Sequence, residues 1–66
     1  MPGNTAERHV LWGLRELGYC MLAEGMLRRE HPNPGLLAIE IAERHELRLE
    51  TQEWDGETTY KFTPIG

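Results

Sequence analysis

One cysteine, no serine and no long apolar run exclude several classes of protein. Cys20 alone cannot form an internal disulfide, so the chain is not a disulfide-stapled secreted domain. Its first residues lack the basic segment and apolar core of a secretory signal. No stretch approaches the roughly 20 apolar residues of a membrane span. We therefore expect a soluble, cytoplasmic protein that does not interact with membranes.

Side chains that carry catalysis or bind metals are also scarce. The three histidines (His9, His31 and His45) and Cys20 show no pair at i, i+3 or i+4 and no C-x-x-C motif. Cys20 has no assignable base, and the glycines are too scattered for a phosphate-binding loop. His45 fits a partly buried histidine better than a ligand. We expect no enzyme activity, no cofactor and no metal.

The length allows one small domain over residues 1–66, with residues 1–3 as a loose N-terminus. A chain of 66 residues buries only about 60% of its unfolded surface, so one core must suffice. With 27% charged and 39% hydrophobic residues, the composition is typical of globular proteins.

The net charge of −4 is concentrated in one stretch, Glu40 to Glu57. Residues 1–39 contain four acids and four bases, whereas this stretch has seven acids against Arg44 and Arg48, a local balance of −5. The acids are Glu40, Glu43, Glu46, Glu50, Glu53, Asp55 and Glu57. A surface this negative favours a basic protein partner and opposes a polyanion.

The first helix is predicted to start at Asn4 or Thr5, with Asn4 and Glu7 at the spacing of a capping box. Its apolar stripe is expected to be inward, and Trp12 falls on the opposite, polar side. The stripe comprises Ala6, Val10, Leu14 and Leu17.

At Gly18 the apolar phase shifts, which predicts a second helix at an angle to the first. Its stripe would comprise Tyr19, Leu22, Ala23, Met26 and Leu27. A short extended segment from Tyr19 to Met21 is the alternative. Pro32 ends this helix in either case.

The third helix is predicted from Pro34 to Glu46, with Asn33 as its N-cap and Pro34 at the first helical position. Its inner face would hold Leu37, Ala38, Ile41, Ala42 and His45. Its outer face would hold Glu40, Glu43 and Glu46, interrupted by Leu36 and Ile39.

A β-hairpin follows, because Asp55-Gly56 is a favoured two-residue turn. Folding about it pairs Trp54 with Glu57 and, further along, Glu50 with Lys61 and Leu49 with Phe62. One face is then apolar and suited to pack on the helices. That face would hold Leu47, Leu49, Thr51, Tyr60 and Phe62.

The predicted fold class is α+β: three helices and a C-terminal hairpin, the order of a winged helix with its helix-turn-helix. The closing run Thr59-Tyr60-Lys61-Phe62-Thr63-Pro64-Ile65-Gly66 resembles the second wing strand of MarR- and PadR-type regulators. That resemblance implies a winged-helix fold and transcriptional regulation through DNA binding. It covers about eight residues.

Two functions therefore compete. The first is a small regulatory protein whose acidic third helix and hairpin bind a basic protein partner. Its contact residues would be Leu36, Ile39, Glu40, Glu43, Glu46, Glu50, Glu53 and Trp54. The alternative is a DNA-binding regulator, dimeric through the Trp12 face of the first helix. Its phosphate contacts would come from Arg28, Arg29, Arg44 and Arg48.

Overall fold

The computed structural model describes residues 5–65 as an α+β arrangement of three helices and one three-stranded antiparallel sheet. In chain order the elements are α1 (Thr5–Leu17), β1 (Cys20–Ala23), α2 (Glu24–Arg28), α3 (Pro34–Arg44), β2 (Leu47–Trp54) and β3 (Glu57–Pro64). The expected loose N-terminus, the Asn4 cap and Gly66 lie outside the described residues.

The sheet has the order β1-β3-β2, so the predicted two-stranded hairpin is corrected to three strands. β1 pairs antiparallel with β3, Cys20 opposite Phe62 and Leu22 opposite Tyr60. β3 therefore lies in the centre of the sheet, and its two buried aromatic residues receive neighbours from both sides.

The second helix is much shorter than its stripe indicated. Leu22 and Ala23 belong to β1, and α2 keeps only five residues, with Leu27 as its buried residue. The alternative of an extended segment after Gly18 is the correct one, although the strand runs from Cys20 to Ala23 rather than from Tyr19 to Met21. α1 ends at Leu17, and Gly18 adopts φ 85°, a left-handed conformation that glycine accepts without steric cost.

α1 contacts the rest of the fold near both of its ends. The backbone N–H of Ala6 donates to Glu30 Oε2 over 3.0 Å, so a carboxylate 24 residues away satisfies an amide of the first helical turn. A negative charge is favourable at this end of a helix. At the other end of α1, Gly13 lets β1 approach closely, because an added Cβ would lie 2.9 Å from Cys20 Cβ.

α3 begins as predicted and ends two residues early. The Asn33 side chain accepts from the Leu36 N–H over 3.1 Å, and Pro34 occupies the first helical position. The helix stops at Arg44, and Glu46 adopts φ 54°, where glycine is the usual residue. The predicted inner face is confirmed: Leu37, Ala38, Ile41 and Ala42 are buried and His45 is partly buried.

The hairpin register is confirmed pair by pair, from Trp54 opposite Glu57 to Leu49 opposite Phe62. Asp55 and Gly56 have φ values of 56° and 79°, the positive pair that a type I′ turn requires. Of the expected inward face, Tyr60 and Phe62 are buried and Leu47 and Leu49 pack against the core, but Thr51 is exposed.

The core lies between the helices and one face of the sheet. Its largest fully buried side chains are Phe62, Leu22, Leu27, Ile41 and Val10. The inward prediction for α1 holds at Ala6 and Val10 and is wrong at Leu17, which is 60% exposed where the helix ends. Within residues 5–65, no helix combines the length and the apolar character needed to cross a lipid bilayer.

Candidate interaction surfaces

The outer face of α3 combines apolar and acidic side chains. Leu36 and Ile39 are 44% and 46% exposed, and Glu40 and Glu43 are exposed beside them. At 100° per residue these four side chains lie within one arc of about 100°, opposite the buried face. Two accessible aliphatic side chains thus share one face of α3 with two carboxylates.

The hairpin extends this surface but divides its residues between two sides. Successive residues of a strand point to opposite faces, and Leu47 and Leu49 point toward the helices. Glu53 therefore lies on the helix side of β2, and Glu50 and Trp54 lie on the outer side. Trp54 is 75% exposed at the hairpin tip. Because β2 is an edge strand in contact with α3, a partner lying along that edge reaches both sides.

The acids differ in what they bind. The four before residue 39 all have partners inside the fold: Glu7 binds Arg44 and His45, Glu16 binds Arg15, Glu24 binds Arg28, and Glu30 binds the Ala6 amide. Of the seven that follow, Glu53 alone accepts a side-chain hydrogen bond within residues 5–65, from Thr58 Oγ1 over 3.2 Å. The later carboxylates keep their charge available to an outside partner.

Glu7 joins the start of α1 to the end of α3. Its Oε2 lies 2.8 Å from an Arg44 guanidinium nitrogen and 2.7 Å from His45 Nε2. Because a carboxylate only accepts, the Nε2 of His45 carries the hydrogen. The hydrogen bonds from His45 and Arg44 lower the pKa of Glu7 below 4.5, against a smaller opposing effect of burial. Arg44, one of the two bases of the acidic stretch, is thereby paired with a carboxylate of α1.

This contact predicts a specific pH dependence. Because the pKa of Glu7 is lowered on folding, its contribution to the free energy of unfolding is full above pH 4.5 and is lost as the pH falls below it. Glu7→Gln should cost about 1–3 kcal/mol at neutral pH, and the gap to wild type should narrow in acid. Urea denaturation of wild type and variant, at neutral pH and in acid, measures the free energy of unfolding. Glu16→Gln, at an exposed pair, is the control; an equal loss there, or a gap independent of pH, would contradict the assignment.

Of the four arginines predicted to contact phosphate in the DNA-binding alternative, two form ion pairs inside the described fold and two do not. Arg28 lies 2.7 Å from Glu24 within α2, and Arg44 pairs with Glu7. Arg29 and Arg48 have no ion pair within the described part of the chain. Arg44 is one of the two bases of the acidic stretch, and its pairing with Glu7 leaves Arg48 as the base of that stretch without an ion pair within residues 5–65.

A second exposed apolar surface lies between α1 and β1. Its groove is lined by His9, Trp12, Gly13, Leu17, Tyr19, Cys20 and Met21. Trp12 is 49% exposed, in agreement with its predicted polar-side position, and its ring centroid lies 6.0 Å from that of His9. Lys61 Nζ lies 5.6 Å from the centroid of the Tyr19 ring, a cation–π distance. The sequence prediction singled out Trp12 and missed Tyr19 and Met21, because it placed Tyr19 on the inward stripe of a second helix and assigned Met21 to no surface.

Cys20 and His31 each make a hydrogen bond within the fold. Cys20 is buried, its thiol lies 3.7 Å from the His9 carbonyl, and burial raises the pKa of the thiol. Residues 5–65 contain no group of three or more His, Cys, Asp or Glu side chains placed to hold a metal ion. His31 Nδ1 accepts from the Asn33 N–H over 2.9 Å, which orders the turn before α3.

Comparison of the chain with protein-family models, with curated proteins and with solved structures finds no match.

Proposed function

We propose that this chain is a small, non-enzymatic interaction protein that binds a basic protein surface through α3 and the β2–β3 hairpin. The observation that carries the proposal is the unequal pairing of its acids. Glu7, Glu16, Glu24 and Glu30 each have a partner within residues 5–65, whereas Glu53 alone of the seven later acids accepts a side-chain hydrogen bond there. Such a field raises the rate of encounter with a basic partner and depends strongly on ionic strength.

Apolar side chains would convert that attraction into a specific complex. Leu36 and Ile39 lie about one helical turn apart on the same face as Glu40 and Glu43, and Trp54 lies at the hairpin tip. Aromatic and aliphatic anchors supply most of the binding energy of an interface, whereas rim charges mainly set the association rate and the specificity. The proposed contact therefore centres on Leu36 and Ile39, with Glu46, Glu50 and Glu53 at its rim.

Winged-helix membership is part of the proposal. The order α1-β1-α2-α3-β2-β3, the sheet order β1-β3-β2 and the two-residue turn support it. The third helix and the hairpin are the two elements with which a DNA reader of this class would contact a duplex. Here both carry unpaired carboxylates, which repel phosphate. Regulation through a protein partner is the function that these charges favour, and DNA binding through Arg29 and Arg48 remains the alternative.

A matched pair of charge variants tests the proposed surface. Glu40→Gln with Glu43→Gln removes two carboxylates from α3, and Glu16→Gln with Glu24→Gln makes the same charge change elsewhere. Binding is measured by fluorescence anisotropy of a labelled amphipathic helical peptide rich in Lys and Leu. The α3 variant should bind about tenfold more weakly at low salt, and the control should bind like wild type. If both double variants bound the peptide equally weakly, the effect would come from net charge alone, and α3 would not be the binding surface.

A titration with duplex DNA of random sequence separates the two functions. We expect no binding tighter than about 100 μM at low salt, which is the weak end of non-specific affinity. Micromolar binding that weakens steeply with added salt, and that Arg29→Gln and Arg48→Gln abolish, would establish the alternative in place of the proposed function.

A further inference from the structure

The outer edge of β1 has no strand beside it. In the order β1-β3-β2 the edge strands are β1 and β2, and β1 pairs only with β3. Among the backbone hydrogen bonds outside the regular elements of residues 5–65, none involves Cys20–Ala23. The outward N–H and C=O groups of β1 are therefore available to a further strand.

The two edges of the sheet differ in chemistry. β2 carries Arg48, Glu50 and Glu53, and charged side chains on an edge oppose the addition of another strand. β1 has the sequence Cys-Met-Leu-Ala and contains no charge and no proline. Among the sequence features that protect an edge strand from pairing with another chain, β1 has only its short length of four residues. Strand addition is thus blocked on the acidic side of the sheet and unopposed on the other.

Exposed apolar groups surround this unprotected edge. Tyr19 and Met21 are 42% and 43% exposed, and the groove beside them continues to Trp12 and Leu17 of α1. Exposed aromatic and aliphatic side chains next to unpaired backbone groups are typical of a site that another chain covers.

We propose that β1 pairs antiparallel with β1 of a second copy of this chain, which joins the two sheets into one of six strands. A two-fold axis makes such a contact self-complementary. The register follows from burial: Cys20 and Leu22 point to the core and Met21 points outward, so inward residues must pair with inward ones. Centring the axis on Met21 pairs Cys20 with Leu22 of the other copy and Met21 with its own equivalent.

A second copy fits this edge because no like charges would face each other. Every residue from Tyr19 to Ala23 is uncharged, whereas equal charges directly opposite in a sheet destabilise it. The axis also keeps the helix side of both sheets on one side, so α1 of each copy lies near the junction with its Trp12. The acidic surface on α3 and β2 stays at the two far edges, free for its partner.

The first test introduces a charge on the axis. Met21→Glu places two carboxylates opposite each other in the dimer, whereas in the monomer the new side chain lies at an exposed position opposite Lys61, an attractive pair. Met26→Glu on α2, at an exposed methionine away from β1, is the control. By sedimentation equilibrium, Met21→Glu should raise the dimer dissociation constant at least about tenfold and Met26→Glu should leave it unchanged. A wild-type chain that stays monomeric to about 1 mM, or a dimer indifferent to Met21→Glu, would overturn the proposal.

The second test reads the register. Paired residues of antiparallel strands have Cα atoms about 4.5–5.5 Å apart, within the range that a disulfide spans. In a Cys20→Ala background, Met21→Cys should therefore form an intermolecular disulfide under mild oxidation, and Met26→Cys should not. Equal cross-linking at the two positions would show association through another surface. A peptide partner in place of a second copy would give monomers in both tests, which counts against the proposal.

Discussion

Phe62→Ala should lower the free energy of unfolding by about 3–5 kcal/mol, the usual cost of removing a buried phenylalanine. Phe62 is fully buried on the central strand, between Cys20 of β1 and Leu49 of β2. A 66-residue chain has a total stability of roughly 3–10 kcal/mol, so the variant should be largely unfolded or close to it. Urea denaturation followed by circular dichroism measures the change.

The control for this substitution is Ile65→Ala. Ile65 is 62% exposed just after β3, and its truncation should change stability by less than about 0.5 kcal/mol. A shift of similar size in both variants would mean that Phe62 is not the centre of the core.

Gly13→Val should destabilise the chain by about 2–3 kcal/mol, although valine is the better helix former. An added Cβ would lie 2.9 Å from Cys20 Cβ and 3.0 Å from the Tyr19 carbonyl oxygen. One of these neighbours is backbone, so relief requires α1 and β1 to separate. The thermal midpoint should fall by about 4–8 °C for each kcal/mol lost.

Gly25→Val is the matched control for Gly13. A Cβ at Gly25 would meet only the end of the Glu57 side chain at 3.7 Å. We expect a change within about 0.5 kcal/mol there. A wild-type midpoint for Gly13→Val would contradict the close approach of α1 to β1.

The hairpin was predictable to the residue because its determinants are local. Asp55-Gly56 specifies the turn, and each later pair, such as Glu50 with Lys61, follows from alternation. β1 was not predictable in this way. Cys20-Met21-Leu22-Ala23 shows no alternation of apolar and polar residues, and such a run fits a buried helix equally well. What makes it a strand is pairing with residues 59–62, about 40 positions later.

The acids of the surface could be predicted from the sequence, but the ion pair that engages Arg44 could not. Exposure of Glu40 and Glu43 follows from the period of α3. The pairing of Arg44 with Glu7 could not be predicted from that period. The two residues are 37 positions apart and meet only when α1 lies close to α3. The division of Glu50 and Glu53 between two sides of β2 was already implicit in the alternation and could have been read from it.

Glu46 shows where stability and charge compete in this chain. Its φ of 54° is one that an L side chain adopts at a cost and glycine adopts freely. Selection for thermal tolerance alone would favour glycine at position 46, and the surface would lose a carboxylate in the exchange. Under the proposed function, the strained backbone at position 46 is the cost of placing a carboxylate at the rim of the contact.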